Sequence, residues 1–557
     1  MSLLPLANYR AAGDCALVGP SGEVSAAVFL AQATRLARAL PDGARVINLC
    51  ESRHGFLVGF AAALLDGQVS LLPPVRGREA CRAFQQRHPG AYLLCEKPVE
   101  GEDCFAIGSF LDDRTPAPFA VPAIDADAIA ATLFTSGSTG EPAAHHKSWG
   151  QLCRGAALLA SALGWDAHPA PAVVGSVPPQ HMFGLESTVM LPWQAGVPVH
   201  AGQPLLVADL EAALRECGRP AWWMTTPVLM RAPLQAPACL AHLEGIVAST
   251  MSLPASLARA AEDAWRAPVI EVYGSTETGA LATRRTALEE AWTPLRGVVL
   301  SIRGGGETPG FRAEGPHIDP PVVLGDVLEP LPGGRFRWLG RASDMVKIGG
   351  KRASLTALNL ALADIPGVAD GVFAYPPDTD ATEVALRPAR RLAAFYVSDT
   401  LRTEEVLAAL RVRIDPAFLP RPIRRVARLP RDANGKLAKA ALVDLFAVFR
   451  PAQRIAAAHP ALPGHFPGAP IVPGVTLLAR VADSLREGFP HRAPGELLHA
   501  RFHVPLRPEE PFVVAAWPGP GRARFEVRRA HAEGGRGELV ASGEWALEGD
   551  ERGAAFP

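Results

Sequence analysis

The amino-acid sequence predicts a multidomain α/β protein, in which a large α/β domain is followed by a small α+β domain and a C-terminal α+β domain. The chain has 557 residues, more than one hydrophobic core usually holds. In residues 1–340 short apolar segments alternate with amphipathic ones, which is typical of a parallel sheet covered by helices. Residues 449–557 combine one helical segment with long alternating strands, so we expect an antiparallel sheet around a helix.

The strands of the large domain are predicted because they are short, mostly apolar segments that helices separate, as in a parallel sheet. We predict strands at residues 46–50, 69–72, 172–176, 221–224 and 269–272, and a helix at 55–65. The Pro- and Gly-rich residues 309–332 predict hairpins and turns. Further along the chain we predict an α+β pattern at 355–418, a linker at 449–453, a helix at 476–485, and strands at 512–516 and 523–528.

The composition favours a folded globular protein, because 48% of the residues are hydrophobic and 20% are charged. The net charge of −1 gives no electrostatic reason to bind nucleic acid or a membrane surface. Only six of the 55 basic residues are lysines. Because arginine cannot replace a compact ammonium group where the chemistry requires one, each lysine is a candidate functional residue.

The N-terminus and the cysteines predict the compartment. Residues 1–6 contain no basic segment, and the apolar residues 55–65 are about half as long as a membrane span. The eight cysteines form no CxxC pair and no zinc-like spacing with histidine. We therefore expect no signal peptide, no membrane span, and reduced thiols without a disulfide bond in a cytoplasmic protein.

The segment Thr132-Leu-Phe-Thr-Ser-Gly-Ser-Thr-Gly140 predicts a strand that enters a loop rich in Ser, Thr and Gly. Glycines let the backbone amides of such a loop converge, and hydroxyls add donors, so the loop is suited to hold phosphate oxygens. It lacks the Gly-x-x-x-x-Gly-Lys pattern of a Walker loop. By itself the segment is explained equally well as a polar turn.

Four further segments carry groups that suit a nucleotide. Val272-Tyr-Gly-Ser-Thr-Glu-Thr278 provides an aromatic ring, a hydroxyl and a carboxylate for Mg²⁺. Gly325-Asp326 provides a carboxylate for ribose hydroxyls. The other two are a charged turn at 340–352 and Pro430-Arg-Asp-Ala-Asn-Gly-Lys436, which places a lysine after an Asn-Gly turn. Each segment taken alone has an ordinary structural explanation.

In this order the five segments resemble the acyl-adenylate-forming superfamily of acyl-CoA synthetases, peptide-synthetase adenylation domains and luciferases. The resemblance covers residues 1–445. It implies a large ATP- and Mg²⁺-binding domain at 1–340 and a mobile lid at 341–448 that rotates between adenylation and thioester formation.

The resemblance also implies a role for each motif residue. Tyr273 would stack on adenine, Asp326 and Arg341 would bind the ribose, and Thr276 and Glu277 would serve the α-phosphate and Mg²⁺. The β- and γ-phosphates would be held by the loop residues Thr135, Ser136, Gly137, Ser138, Thr139 and Gly140.

Lys436 would bridge the carboxylate of the acid and the α-phosphate while the acyl adenylate forms. A compact cation at that place stabilises the charge that develops at phosphorus. Four of the six lysines (147, 347, 351 and 436) lie in or beside the motifs. In a chain that otherwise prefers arginine, this supports Lys436 as chemically required.

Two departures from the family pattern concern charged residues. The family has Gly-x-Pro-Lys soon after the phosphate loop, whereas here the lysine is displaced by four positions to Lys147, behind His145 and His146. The positive charge is therefore assigned to this group of residues. The usual hinge acid aligns with Ser343, and Asp344 follows it, so either residue is a candidate hinge.

The segment Val177-Pro-Pro-Gln-His-Met-Phe-Gly184 matches the acyl pocket of the family. There His181 would lie near the substrate, and Phe183 and Gly184 would form a wall. Residues 248–252 (Ala-Ser-Thr-Met-Ser) stand where relatives often carry a Gly-rich segment, so a shorter pocket is favoured. The sequence leaves the acid open between aromatic, short and medium chains.

Near the C-terminus, Gly464-His-Phe-Pro-Gly-Ala-Pro-Ile-Val-Pro-Gly-Val475 presents a histidine on a rigid turn before a helix. Residues 455–550 resemble the hotdog-fold 3-hydroxyacyl-carrier-protein dehydratases. The resemblance implies that His465 removes the α-proton of a 3-hydroxyacyl thioester. The partner acid of the family would stand at Ala479. Asp483 or a residue of a second subunit could replace it, or the domain has lost dehydration and only binds acyl chains or dimerises.

We therefore expect an enzyme that activates a small-molecule carboxylic acid as acyl-AMP and passes it to the thiol of CoA or of phosphopantetheine on an acyl carrier protein. The hotdog domain (449–557) would dehydrate or hold the thioester and form a homodimer. This pairing resembles bacterial fatty-acid-like or aryl-polyene pathways. The alternatives are a luciferase-like or amide-forming use of the adenylate, and a non-catalytic acyl-carrier scaffold.

Overall fold

The computed structural model divides the chain into two compact units, Met1–Met345 and Val346–Pro557. The described residues are 2–73, 78–98, 104–135, 143–165, 171–236, 238–303, 310–348, 351–375, 392–421, 423–426, 428–431, 437, 445, 448–449, 453–466, 468–488, 493–519, 521–530 and 536–548. Within this part of the chain, no helix combines the length and the hydropathy that crossing a membrane would require.

The strands of the first unit are β1 Leu3–Pro5, β2 Cys15–Val18, β3 Val24–Ser25, β4 Arg45–Asn48, β5 Val69–Leu72, β6 Ala91–Cys95, β7 Cys104–Ala106, β8 Ala123–Asp125, β9 Ile129–Thr135, β10 Ala143–Ser148, β11 Ala172–Gly175, β12 Val199–His200, β13 Ala221–Thr225, β14 Leu243–Ala248, β15 Val269–Ser275, β16 Gly279–Arg284, β17 Thr293–Pro294, β18 Val299–Arg303, β19 Gly310–Gly315, β20 Ile318–Leu324, β21 Asp326–Pro330 and β22 Phe336–Arg341.

Its helices are α1 Ala26–Ala37, α2 Arg53–Leu65, α3 Arg78–Gln86, α4 Gly108–Asp112, α5 Trp149–Ala162, α6 Met182–Leu185, α7 Leu191–Ala195, α8 Val207–Cys217, α9 Pro227–Gln235 and α10 Ala255–Trp265. A π-helical turn, Glu186–Met190, joins α6 to α7.

Two sheets organise the first unit. One has the strand order β10-β9-β5-β4-β6-β7 and the other β17-β16-β15-β14-β13-β11-β12-β2-β3. All five residues of β13 are buried, as expected for a strand covered on both faces. Helices α1, α2, α5 and α7 contribute to a core that also contains residues of both sheets. The predicted strands and the helix at 55–65 are confirmed. The described part of the segment at 309–332 contains the hairpin β19–β20 and then β21, which pairs with β22.

The second unit begins within β23 (Met345–Ile348) and continues with β24 Lys351–Ser354, α11 Leu355–Ala363, β25 Asp370–Ala374, β26 Ala393–Val397, α12 Thr403–Arg411, β27 Ile423–Arg425, β28 Val448–Phe449, α13 Gly474–Gly488, β29 Ala493–Phe502, β30 Phe512–Gly519, β31 Arg522–Ala530 and β32 Arg536–Glu548. Strands β25, β26 and β27 form a small sheet, and the last five strands form an antiparallel sheet in the order β28-β30-β31-β32-β29. Helix α13 buries Leu477, Val481 and Leu485 in the core of that sheet, which confirms the predicted sheet around a helix.

The small sheet and the C-terminal sheet share an apolar cluster. Phe395 of β26 and Val372 of β25 belong to it, together with Leu429 and with Ala515 and Trp517 of β30. All five side chains are buried. This cluster, called the lid–hotdog cluster below, joins the two parts of the second unit.

Two sequence-based expectations are wrong. Phe449, predicted as part of a linker, lies in β28, which pairs with β30. Cys95 and Cys104 form a disulfide bond with a Cα–Cα distance of 6.2 Å. They lie in β6 and β7, which are neighbouring parallel strands, and this neighbourhood brings the two residues within the reach of a disulfide. Of the other six cysteines, four are buried as expected.

Candidate active site

Tyr273, Asp326 and Arg341 come together at the surface of the first unit. The Tyr273 hydroxyl donates to Asp326 Oδ2 at 2.8 Å, and Arg341 lies opposite Asp326 in the β21–β22 ladder. Burial, followed by the Asp326 charge, raises the pKa of Tyr273 well above its usual range, so the hydroxyl stays a donor. The structure thus brings together the three residues that the sequence assigns to adenosine.

The aromatic ring of Tyr273 is held in a fixed orientation. Its centroid lies 5.5 Å from that of Trp292 and 5.6 Å from that of Phe336. Trp338 Nε1 donates to Asp326 Oδ1 at 3.0 Å, so each oxygen of this carboxylate accepts one hydrogen bond from the protein. Because each oxygen has two lone pairs, the carboxylate keeps capacity for two further donors. The pair of hydroxyls of a ribose fits that capacity.

Thr276 and Glu277 lie on the turn between the antiparallel strands β15 and β16. Ser275 and Thr278 close the turn, since the backbone amide of each donates to the hydroxyl of the other at 3.1 and 3.3 Å. A side chain at Gly274 would meet the Gly279 carbonyl at 2.1 Å, so the hairpin requires glycine there. The turn therefore presents Glu277 at the surface, where its side chain is 40% exposed.

The electrostatic surroundings of Glu277 favour its charged form. Partial burial raises the pKa of the carboxyl group. The hydrogen bond from Ser275 and the neighbouring His145 and Lys147 outweigh this increase, so the pKa lies below its usual value. Mg²⁺ in nucleotide sites is bound by one or two carboxylates and by substrate phosphates. Glu277 fits this chemistry, and the described residues include no cluster of three or more metal-ligating side chains.

Strand β10 brings two of the displaced basic residues, His145 and Lys147, to the Glu277 turn. His145 Nε2 lies 3.0 Å from Thr135 Oγ1 and 3.6 Å from Glu277 Oε1, so the imidazole stands between the end of β9 and the carboxylate. Lys147 points the same way, because alternate residues of a strand share a face. It is buried, and its ammonium donates to the Glu277 carbonyl at 2.6 Å. His146 lies beside Thr132, at 2.9 Å.

Two buried polar residues next to this turn, Glu186 and His317, were not predicted from the sequence motifs. Glu186 Oε1 accepts from the Ala280 amide at 3.1 Å, and His317 Nε2 donates to the Ala280 carbonyl at 2.8 Å. Burial raises the pKa of Glu186 to about 7. The available signal was that Glu186 is the only charged residue in the segment 182–193.

The acid-pocket segment begins where β11 ends. His181 is the N-cap residue of α6, and Phe183 is buried. A Cβ at Gly184 would lie 1.9 Å from the Pro178 carbonyl oxygen, so only glycine fits. Trp223 donates to the Ser176 hydroxyl at 2.8 Å and is buried. This indole belongs to the hydrophobic core.

His465 in the second unit holds a defined orientation. Its Nδ1 lies 3.1 Å from the Ile471 carbonyl, and a carbonyl can only accept. In the neutral imidazole Nδ1 therefore carries the proton, and Nε2 is the basic nitrogen. The centroid of the Phe466 ring lies 4.8 Å from that of the imidazole. The geometry is compatible with a general base.

Asp483, the substitute that the sequence offers for the partner acid, takes part in ion pairs. This carboxylate lies 2.8 Å from Arg486 and 4.0 Å from Arg480, and it is half exposed. Ala479, at the position of the family's acid, lies on the same exposed face of α13 as Asp483. The carboxylate that the sequence proposed as a substitute for the partner acid is thus paired with two arginines.

Six of the predicted site residues lie outside the described residues. They are Ser136, Gly137, Ser138, Thr139, Gly140 and Lys436. The candidate hinge residues form a short turn, in which the Ser343 hydroxyl donates to Asp344 Oδ1 at 3.1 Å. The boundary between the two compact units follows directly, after Met345.

Two known families match parts of the chain. Residues 7–303, more than half of the chain, match the family described as AMP-binding enzyme, and the chain belongs to this family. Residues 450–544 match the family described as ApeI dehydratase, so a dehydratase-like hotdog domain follows the AMP-binding domain.

Individual relatives are acyl-CoA ligases. A 4-coumarate–CoA ligase of Rhodobacter capsulatus is 31% identical over 329 residues, which are 58% of this chain and 79% of the relative. A probable 2-succinylbenzoate–CoA ligase of Mycobacterium tuberculosis is 29% identical over 58% of this chain and 85% of its own. The solved structure of o-succinylbenzoate CoA synthetase from Bacillus subtilis, in complex with its acyl-adenylate intermediate, has a TM-score of 0.66 at 19% identity and covers 80% of this chain and 99% of its own. That likeness establishes the adenylate-forming fold.

Thr250 generates a prediction about backbone strain. Its φ is +76°, in the left-handed region that a β-branched residue rarely adopts. Replacing it with glycine removes strain of about 1–3 kcal/mol, while the greater freedom of the unfolded chain offsets about 0.4–1 kcal/mol. We expect Thr250→Gly to raise the free energy of unfolding in a denaturant titration. Thr250→Ala, which keeps a Cβ, should gain less. A loss of stability in the glycine variant would contradict the assignment.

Proposed function

We propose that the protein activates a carboxylic acid as acyl-AMP with ATP and Mg²⁺ and transfers the acyl group to a thiol. The observation that carries the proposal is the assembly, in one unit, of Tyr273, Asp326 and Arg341 with the Glu277 turn. Membership of the AMP-binding family and the acyl-CoA ligase relatives support it. The first unit provides the residues for the nucleotide, and residues 341–448 form the lid.

Each group has a specific task in the proposed reaction. Tyr273 and Asp326 hold the adenosine, so that the α-phosphate lies at a fixed place. Glu277 would hold Mg²⁺, which neutralises phosphate charge when bound. His145 lies between Thr135 and Glu277, and in this proposal it donates a hydrogen bond to a phosphate oxygen in place of the missing loop lysine. The ammonium of Lys436 stabilises the charge that develops at phosphorus.

We propose that the acceptor is the thiol of a phosphopantetheine arm, the group that CoA and acyl carrier proteins share. One relative is named as a CoA ligase of 4-coumarate. Another, enterobactin synthase component F of Escherichia coli, is 26% identical over 56% of this chain and 28% of its own. An acid that is aromatic or short fits the bulkier segment at 248–252. An amide-forming or luciferase-like use of the adenylate is the alternative.

The hotdog domain, which we assign to residues 449–557, receives the acyl thioester. His465 has its basic Nε2 available for the α-proton of a 3-hydroxyacyl group, which supports dehydration in the manner of the ApeI dehydratase family. The alanine at position 479 and the ion pairs of Asp483 favour a second candidate function, in which the domain holds the acyl chain without dehydrating it. Acid–base elimination normally needs both a base and an acid.

The adenylation proposal predicts exchange of labelled pyrophosphate into ATP that depends on an added acid. A panel of aromatic, short-chain and medium-chain acids should give exchange with at least one member, and CoA and a phosphopantetheinylated carrier protein should then compete as acceptors. Lys436→Ala should abolish exchange while ATP binding, measured by calorimetry, stays close to that of the unmodified protein.

Lys439→Ala is the matched control, because Lys439 lies three residues further on and has no assigned role. Unchanged exchange in the Lys436 variant would remove this lysine from the mechanism. An absence of exchange with every acid would overturn the ligase proposal. Detection of an amide or an oxidised product in place of a thioester would establish the alternative use.

The two candidate functions of the hotdog domain differ in the behaviour of His465→Ala. If the domain dehydrates, the protein converts a 3-hydroxyacyl thioester to the enoyl thioester. The rate of the His465→Ala variant should then be at least about 100-fold lower, because a general base usually contributes that much. The substrate and product are separated by mass spectrometry. His459→Ala is the control. Binding without conversion, unaffected by His465→Ala, would establish the holding function.

We further propose that the hotdog domain forms a homodimer. Strand β29 is an edge of its sheet, and Leu498 on this strand is 48% exposed. An exposed edge with apolar side chains favours pairing with another strand, and a second copy offers the same strand. Leu498→Glu should lower the mass in sedimentation from twice 58.9 kDa to a single copy. Leu288→Glu, at an exposed leucine of the first unit, should leave it unchanged. A monomeric unmodified protein would contradict the proposal.

A further inference from the structure

Three buried side chains converge on the backbone of the Glu277 turn. Lys147 of β10 donates to the carbonyl of Glu277 at 2.6 Å, and Glu186 of the π-helical turn accepts from the amide of Ala280 at 3.1 Å. His317, between β19 and β20, donates to the carbonyl of Ala280 at 2.8 Å. Three separate elements thus hold one short segment of backbone. We call these three residues the buried triad.

The hairpin needs these partners because its ladder is irregular. The register of β15 and β16 shifts between Tyr273 and Gly274, and β17 pairs with β16 only at Ala282 and Thr283. Side chains therefore satisfy backbone groups that a neighbouring strand would otherwise bond. Buried backbone groups are costly to leave unpaired, so the triad fixes the path of the chain at the turn.

Burying charged side chains to hold a turn costs desolvation free energy. Burial lowers the pKa of Lys147, and the nearby Glu186 and Glu277 counteract this decrease. Apolar residues of similar volume often replace buried ion pairs without loss of stability. Stability alone therefore does not explain why this site uses a lysine and a glutamate. What the charged groups add is directed hydrogen bonds: Lys147 donates to the carbonyl of Glu277, and Glu186 accepts from the amide of Ala280.

We propose that Lys147 and Glu186 are positioning residues, which set the place of the Glu277 carboxylate and hence the affinity of the site for Mg²⁺. The proposal rests on the function proposed above, in which Glu277 holds the metal. The side chain of Lys147 would act on the Glu277 carboxylate through the backbone carbonyl of Glu277. Partners that orient a metal ligand typically change metal affinity or activity about 10–100-fold when they are removed.

The test measures acid-dependent pyrophosphate exchange as a function of Mg²⁺ concentration at fixed ATP. Lys147→Met keeps the length of the side chain but removes its hydrogen bond. We expect the Mg²⁺ concentration for half-maximal exchange to rise about tenfold, with little change in the KM for the acid. Lys97→Met, at an exposed lysine, is the matched control and should behave as the unmodified protein does.

The variant Lys147→Met/Glu186→Met separates positioning from stability. It removes the carboxylate that the single variant leaves buried without its cation, so its thermal midpoint should exceed that of Lys147→Met. Its Mg²⁺ dependence should remain shifted, because the hydrogen bond to the Glu277 carbonyl is still missing. This double variant also provides the measurement if the single variant does not fold.

The outcomes separate this inference from the function on which it rests. Unmodified Mg²⁺ dependence in Lys147→Met, or recovery of both stability and Mg²⁺ dependence in the double variant, would overturn the positioning role alone. An unmodified protein without exchange for any acid would overturn the proposed function together with this inference.

Discussion

The buried guanidinium of Arg53 constrains the first unit. It stands at the start of α2 and donates to the carbonyls of Gly175 and Val177 at 2.9 and 3.0 Å and to the hydroxyl of Thr188. Thr188 in turn donates to the Gly184 carbonyl at 2.6 Å. Such hydrogen bonds stabilise a buried cation, so the end of β11 and residues 177–188 must approach α2. Residues more than 120 positions apart in the chain are thereby fixed together.

The candidate active site also depends on hydrogen bonds to buried polar groups. Around the Glu277 turn the charges of Lys147 and Glu186 are buried, while the groups assigned to substrates are partly exposed. The interior polar groups bond to backbone, and the exposed groups keep unused hydrogen-bonding capacity, as Asp326 does. Packing and function thus use the same residue types at different depths. A burial pattern, more than residue identity, separates the groups that hold the site from those that would meet ATP.

The sequence predicted those features that are local. Strands such as 221–224 are apolar throughout, and the Tyr273, Asp326 and His465 motifs carry their meaning in a few adjacent residues. The sequence did not predict the roles of Lys147, Glu186 and His317, because each bonds to backbone 37 to 130 positions away. The Cys95–Cys104 bond was missed for a related reason. It depends on the pairing of β6 with β7, which no residue pattern specified.

The lid–hotdog cluster has a mechanical consequence. Phe395 and Trp517 lie in the same buried cluster, so turning the small sheet away from β30 would expose aromatic surface to water, which is unfavourable. The small sheet and the C-terminal sheet are therefore expected to move as one rigid body. In the proposed function, any rotation of the small sheet would move the C-terminal sheet, and His465 with it. In the proposed homodimer, the small sheets of the two copies would be linked through their C-terminal sheets.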